Sequence, residues 1–162
     1  MRRSRQQLSQ AQCIEILNRN TSGVLAISGD GGYPYAVPLS YVYEDGKLFF
    51  HCAREGHKLD AIRREEKASF CVIDKDQVVP EKYTTYYASV IAFGRVRVLE
   101  TESEIREAIE LLAKKYSPNE PDDAREREID GAVPRLCMLR LDIEHMTGKE
   151  AIELVKARAE SE

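Results

Sequence analysis

Hydrophobic and polar positions along the chain follow two rhythms, a short alternation through most of its length and a helical spacing that brackets and interrupts it. In residues 9–20 the apolar Cys13, Ile14 and Leu17 form a narrow stripe, which predicts a helix lying on a surface. Ser9 can cap it, with Gln12 three residues on and Leu8 and Cys13 placed as a hydrophobic staple. Residues 23–28 (GVLAIS) read as a short buried strand closed by Gly29-Asp30-Gly31-Gly32, a strong turn signal. Residues 33–43 predict a second strand, and Glu44-Asp45-Gly46 turns it into a third at 47–53. Pro34 and Pro38 each remove a ladder donor, so the second strand is expected to be interrupted or edge-like. Backbone groups left open there could meet a ligand, or the stretch could be a plain sheet edge.

A short helix is predicted at residues 57–64 and a strand at 67–73, followed by a polar loop at 74–82. Residues 84–99 carry the longest strand pattern, with Gly94 as a bend or bulge. Thr101-Glu102-Ser103-Glu104 has a capping-box pattern, and Ile105, Ala108, Ile109, Leu112 and Tyr116 repeat at helical spacing behind it. Residues 118–130 are acidic and contain proline, which reads as a mobile excursion. Residues 135–143 alternate as a closing strand, and Thr147-Gly148-Lys149-Glu150 suggests a second capping box opening a last helix at 147–160. The sum is a mainly β protein of about six antiparallel strands with flanking helices, a small β-barrel in one domain spanning 1–162. Its parts are the N-terminal helix within 1–20, the helix and acidic excursion at 101–130 and the C-terminal helix.

Composition narrows the possibilities. A chain of 162 residues suits one domain, and the net charge of −4 disfavours a nucleic-acid surface. The longest apolar runs, such as 89–94, are far too short to cross a bilayer, so no membrane association is expected. The basic start Met1-Arg2-Arg3 leads into a polar stretch and lacks a secretory pattern, so the expected location is cytoplasmic. There Cys13, Cys52, Cys71 and Cys137 would be reduced thiols, and without CxxC spacing a zinc site is disfavoured. Tryptophan is absent, yet eight tyrosines gather mostly between positions 33 and 87, a first hint of a site.

The segment His51-Cys52-Ala53-Arg54-Glu55-Gly56-His57-Lys58 is the most informative in the chain. It places two histidines, a glycine and a lysine where a strand turns into a helix, and helix N-termini present free N–H groups and the positive dipole end to phosphate. A surface turn with a solvated lysine would read the same way. No Walker A or GxGxxG pattern is present. His51 ends the apolar strand Leu48-Phe49-Phe50, either as a hydrogen-bonded structural residue or as a functional one. A metal would need His51, Cys52 and His57 to converge, whereas neighbours in a strand point to opposite faces, so no metal is expected. Residues 83–94 (YTTYYASVIAFG) carry aromatics and hydroxyls on both faces of one strand, able to line a flat polar heterocycle or to pack in an interface. Ser89 has no evident Asp or His partner, which disfavours a serine hydrolase. The carboxylate pairs Glu65-Glu66 and Asp122-Asp123 look like solvated surface.

Taken in order, Pro34-Tyr35-Ala36-Val37-Pro38-Leu39-Ser40-Tyr41, Leu48-Phe49-Phe50-His51-Cys52-Ala53, Gly56-His57-Lys58-Leu59, Tyr87-Ala88-Ser89-Val90-Ile91-Ala92-Phe93-Gly94 and Thr147-Gly148-Lys149-Glu150 resemble the pyridoxamine 5'-phosphate oxidase-like FMN-binding split-barrel superfamily. Within it the chain is most similar to the flavin-binding proteins that include the 5-nitroimidazole-resistance (Nim) group. The resemblance implies a split β-barrel, a homodimer, and FMN held at the subunit interface. It implies that Pro38, Leu39, Ser40 and Tyr41 run along the isoalloxazine, and that Ala53, Gly56, His57 and Lys58, with Cys52 beside them, take the phosphate. Ser89, Val90 and Ile91 would meet the flavin edge or ribityl chain, and His51 matches the histidine near the flavin, the candidate catalytic residue. The Arg-rich C-terminal substrate motif of the true oxidase is not recognisable. The implied function is an FMN-dependent oxidoreductase of a small molecule, nitroaromatic reduction among its candidates. Histidine suits proton delivery there, since it ordinarily titrates at about pH 6.5. The alternatives are a non-catalytic flavin or haem binder, with His51, His57 or His145 as axial ligand, and a dimerisation scaffold with an empty groove.

Overall fold

A computed structural model describes residues 4–160 of the chain, so the basic start Met1-Arg2-Arg3 and the last two residues lie outside the described residues. Seven antiparallel strands form one sheet: β1 (Ser22–Ser28), β2 (Pro34–Ser40), β3 (Val42–Glu44), β4 (Lys47–Ala53), β5 (Lys67–Val79), β6 (Thr84–Val98) and β7 (Leu136–Glu150). Their spatial order is β2-β1-β5-β6-β7-β4-β3. The two edges, β2 and β3, are consecutive in sequence with only Tyr41 between them, so the chain itself joins the ends of the sheet. The result is the split barrel expected, with one more strand than the pattern of the sequence suggested. The helices are α1 (Gln10–Arg19), α2 (His57–Arg64), α3 (Glu102–Tyr116), α4 (Asp122–Ala132) and α5 (Ile152–Ala159). No helix among the described residues is long and apolar enough to cross a membrane.

The two-residue alternation of strands divides the core in two. Leu25 on β1, Phe70 and Val72 on β5, Val90 on β6 and Phe50 on β4 are sealed inside the barrel. Phe49, one position from Phe50, points the other way and packs with Met138, Val42 and the helical layer of Ile109, Leu112 and Ile129. α1 is capped as expected: Ser9 Oγ accepts from the Gln12 amide at 3.3 Å, and Gln12 Oε1 accepts from the Ser9 amide at 2.8 Å. The expectation of a surface helix is corrected, because its buried stripe is Cys13, Ile16 and Leu17, and Leu17 is fully enclosed at the barrel's end.

Three further expectations are corrected. Residues 74–82 are no loop, since β5 continues to Val79, paired with β6 down to Thr84, through a register shift between Ile73 and Lys75. Their polarity reflects a two-stranded ribbon exposed on both faces, where no apolar alternation is required. At the shift Asp74 is gripped by Arg19 at 2.7 and 2.6 Å and by Asn20 at 2.8 Å, and the Arg19 guanidinium holds its carboxyl below the usual range. The acidic excursion contains α4, with Asp122 and Asp123 favourably placed in its first turn and Ile129 buried beneath it. Thr147-Gly148-Lys149-Glu150 opens no helix; it is the end of β7, paired with Ile91 and Ser89 of β6, and the last helix starts at Ile152. Gly148 is small because α1 lies on it, and a Cβ there would sit 2.5 Å from Cys13 Sγ.

The expected bulge at Gly94 is present as a register shift between Phe93 and Gly94. A Cβ at Gly94 would lie 1.9 Å from the Asp142 carbonyl oxygen, so Gly94→Ala forces β6 away from β7. Its expected cost is about 3 kcal/mol, at the upper end for overpacking, read from the midpoint of urea unfolding. Tyr116 reaches from the end of α3 to the β2–β3 junction, where its hydroxyl accepts the Tyr41 amide at 2.9 Å. Tyr116→Phe leaves that amide without its acceptor and should cost about 1–3 kcal/mol in the same measurement.

Candidate functional site

The most chemically prepared place in the molecule is the corner where β4 turns into α2. Gly56 is the residue before the helix and adopts φ 135° and ψ 163°, a conformation that side chains rarely enter. No side chain caps α2 among the described residues, and while the Leu59 and Asp60 amides donate to the Gly56 carbonyl, those of His57 and Lys58 are left without an intrahelical partner. Lys58, half-buried in the first turn, lies near the Cys52 thiol, and Arg54 Nε donates to the Leu136 carbonyl at 3.4 Å. Neither cation has a carboxylate partner among the described residues, whereas Arg63 pairs with Asp60 at 3.4 Å and Arg64 with Asp30 at 2.7 Å. Open amides, a helix N-terminus and two cations without carboxylate partners give this corner the chemistry to hold an anion. This donor set fits a phosphate monoester.

The structure distributes the other expected residues over several surfaces. Pro38 and Ser40 lie on the outer face of β2, whose partner is β1 alone in the ladder, so the edge-strand expectation holds. Leu39 alternates inward and packs against the barrel core. On β6, Ser89 and Ile91 face outward and Val90 faces inward. Tyr41 and Val90 are completely buried, so neither presents its side chain on the outer face. Burial also pushes the Tyr41 hydroxyl far above its ordinary range, and it donates to the Leu17 carbonyl at 2.8 Å. Ala53 is exposed at the end of β4, one residue past Cys52.

The three histidines part company. His51 is exposed opposite Met138 on the face of β4 that carries Phe49, while Cys52 shares the barrel side with Phe50. His57 is turned from the open corner: its Nδ1 lies 3.2 Å from Asp30 and its ring packs edge-on to Tyr35 at 4.7 Å. What it leaves open toward the corner is its backbone amide. His145 stacks on Phe93 at 4.7 Å and 8° on the outer face. Among the described residues no cluster of three His, Cys, Asp or Glu side chains is placed to hold a metal ion.

Asp30, which ties the β1–β2 turn to both His57 and Arg64 of α2, escaped the sequence reading. Its only signal was the turn Gly29-Asp30-Gly31-Gly32, which says nothing about a partner 27 or 34 positions away. A depression of about 450 Å³ lies on the outer face between Tyr33, Ser69 and Phe93. Gly56→Ala meets no neighbouring atom, so its cost is conformational alone, about 1–3 kcal/mol in thermal or urea unfolding.

Comparisons with known proteins place the chain by family and by fold. A family model described as pyridoxamine 5'-phosphate oxidase matches residues 9–150. Among curated proteins none matches the chain. Among solved structures, a candidate 5-nitroimidazole antibiotic resistance protein from Bacteroides thetaiotaomicron is 21% identical, with a TM-score of 0.77 over 89% of this chain and 86% of that one. A FAD-binding protein from Mesorhizobium loti is 28% identical, with a TM-score of 0.63 over 90% of this chain and 96% of that one. A FAD and heme binding protein from Mycobacterium smegmatis is 20% identical, with a TM-score of 0.75 over 90% and 73% of the two chains.

Proposed function

Because the chain belongs to the pyridoxamine 5'-phosphate oxidase family, we propose that it binds a flavin, as FMN, between two copies of itself and uses it to reduce or oxidise a small molecule. The observation that carries this reading is the uncapped α2 N-terminus at Gly56 with Lys58 beside it. A phosphate monoester carries about −1.5 to −2 charge near neutral pH and three acceptor oxygens, which matches outward amides plus a cation. The similar Mesorhizobium and Mycobacterium proteins, whose names include FAD, support a flavin in general. FMN is the finer reading, because the corner offers one compact anion site.

The outer barrel face suits the rest of such a ligand. Pro38 and Ser40 lie on the edge strand beside open backbone groups, and Ser89 and Ile91 of the doubly paired β6 add a hydroxyl and an apolar side chain. The same side of the molecule leaves apolar surface uncovered: Ile73 is 64% exposed, and at the ribbon tip Val78 and Tyr83 are 67% and 98% exposed. Such surface favours a protein partner, here a second copy, which would also close a corner left open in one chain. A bound flavin supplies hydride or electron transfer. The chain's own part is to hold the phosphate at Lys58 and the α2 amides, to present the flat face, and to orient or protonate substrate through the exposed His51. A nitroaromatic substrate is supported by the likeness to the candidate 5-nitroimidazole resistance protein. The name of the Mycobacterium smegmatis protein raises haem as a second reading. His51 is then the axial candidate, since His57 is engaged by Asp30 and His145 by Phe93.

The purified protein is expected to be yellow, to release FMN by mass spectrometry on denaturation, and to elute as a dimer. Colourless protein that ignores added FMN and riboflavin removes the reading, and a Soret band on adding haem replaces it. Lys58→Ala should weaken FMN binding about 10–100-fold, the loss of one charge-assisted hydrogen bond, and leave riboflavin binding unchanged because riboflavin has no phosphate. His51→Ala should keep the flavin and lose turnover; full turnover in that variant ends the catalytic role of His51.

A further inference from the structure

Cys52 and Cys137 stand directly opposite each other in the antiparallel pair of β4 and β7. Both face the barrel side, two residues from the buried pair Phe50 and Leu139, and the Cys137 thiol donates to the Met138 carbonyl at 3.9 Å. Each is half-buried at the open end of the barrel, within reach of a small reagent. The other two cysteines lack such a neighbour: Cys13 is buried against Gly148, and Cys71 sits on the outer face opposite Val24. Directly opposed residues of antiparallel strands have Cα atoms about 4.5–5.5 Å apart, inside the roughly 4.4–6.8 Å span of natural disulfides.

We propose that Cys52 and Cys137 form a reversible disulfide, a redox modification site that clamps β4 to β7 immediately before the Gly56 corner. In that step the two S–H bonds break and one S–S bond forms between the two sulfur atoms. Two electrons and two protons pass to the oxidant, either a peroxide reduced to two waters or a diffusible disulfide reduced to two thiols. A dithiol reductant reverses it. The clamp joins positions 85 residues apart in sequence, so it restrains the unfolded chain strongly while asking little movement of strands already paired. It also fixes the end of β4 from which Ala53, Arg54 and Gly56 lead into α2. The inference stands on the strand pairing and does not depend on flavin binding.

The test uses the full chain treated with hydrogen peroxide or oxidised glutathione, then alkylated and weighed intact. Before alkylation the oxidised protein is expected to be 2 Da lighter than the reduced protein; after it, the product carries two alkyl groups fewer than the alkylated reduced protein, with a linked peptide joining Cys52 to Cys137 and full reversal by dithiothreitol. The thermal midpoint should rise on the order of 5–10 °C on oxidation. Cys52→Ser and Cys137→Ser should each abolish both the mass loss and the shift, and Cys71→Ser should leave both intact. Independent alkylation of all four thiols after oxidant, stable glutathione adducts at Cys52 or Cys137, oxygen adducts without a link, or a link through Cys71 overturns the proposal. Because wild-type protein carries the primary readout, a variant that fails to fold does not obscure the result.

Discussion

Everything in this fold depends on how the chain crosses from one edge of its sheet to the other at Tyr41. A barrel removes unpaired strand edges, but only if the seam's own backbone groups find partners. Here the seam is satisfied from outside the sheet: the Tyr116 hydroxyl accepts the Tyr41 amide at 2.9 Å and lies 2.9 Å from the Tyr41 carbonyl, with the Thr21 carbonyl also in contact. Lys115 donates to the Asn20 carbonyl at 2.6 Å and lies 4.3 Å from the centre of the Tyr41 ring, while Tyr41 itself donates to the end of α1. One residue thus joins α1, α3 and both sheet edges. The seam fixes where β2 runs, and β2 is the strand whose prolines leave the outer face open.

β4 is the hinge between structure and chemistry because its two faces serve different neighbourhoods. Phe50 and Cys52 belong to the barrel, while Phe49 and His51 belong to the side covered by α3 and α4. The Gly56 corner begins where this strand ends, and the outer faces of β2 and β6 lie on other walls of the barrel. A ligand that touched the corner, Ser89 and His51 together would have to draw them from more than one surface of one chain, or from two chains. The second solution asks no rearrangement of a packed core, which gives the dimer proposal its physical motive.

The sequence was legible wherever local chemistry decided the outcome. Ser9 and Gln12 built the cap they spell, Gly94 sits at the register shift, and the prolines of β2 lie on an edge strand. It misled where a local signal met a distant constraint. Thr147-Gly148-Lys149-Glu150 has the residues of a capping box, yet pairing with β6 and the pressure of α1 on Gly148 hold it in a strand. Residues 74–82 looked like a loop because an exposed ribbon needs no apolar alternation, and α4 hid behind its proline and acidic content with one buried anchor, Ile129. For the candidate site, the corner at Gly56 was readable, but the face each residue occupies was not. That Tyr41 and Val90 point inward follows from the register of the whole sheet, and that His57 is committed to Asp30 follows from a turn far away in sequence.

The charge around the corner sets how an anion would be recognised. The chain carries a net charge of −4, and Asp30, Glu55 and Asp60 stand close in sequence or space to Arg54, His57, Lys58, Arg63 and Arg64. Asp30 and Asp60 neutralise Arg64 and Arg63, so the long-range field offers little steering, and a Debye length of about 8 Å at physiological salt would screen most of it. What remains acts at contact distance: the outward amides of the first turn, fixed by the unusual backbone of Gly56, and the charge of Lys58. Recognition built this way rewards a group small enough to sit among the amides and penalises diffuse negative charge. It favours a terminal phosphate over a polyanion, in keeping with the net charge of −4.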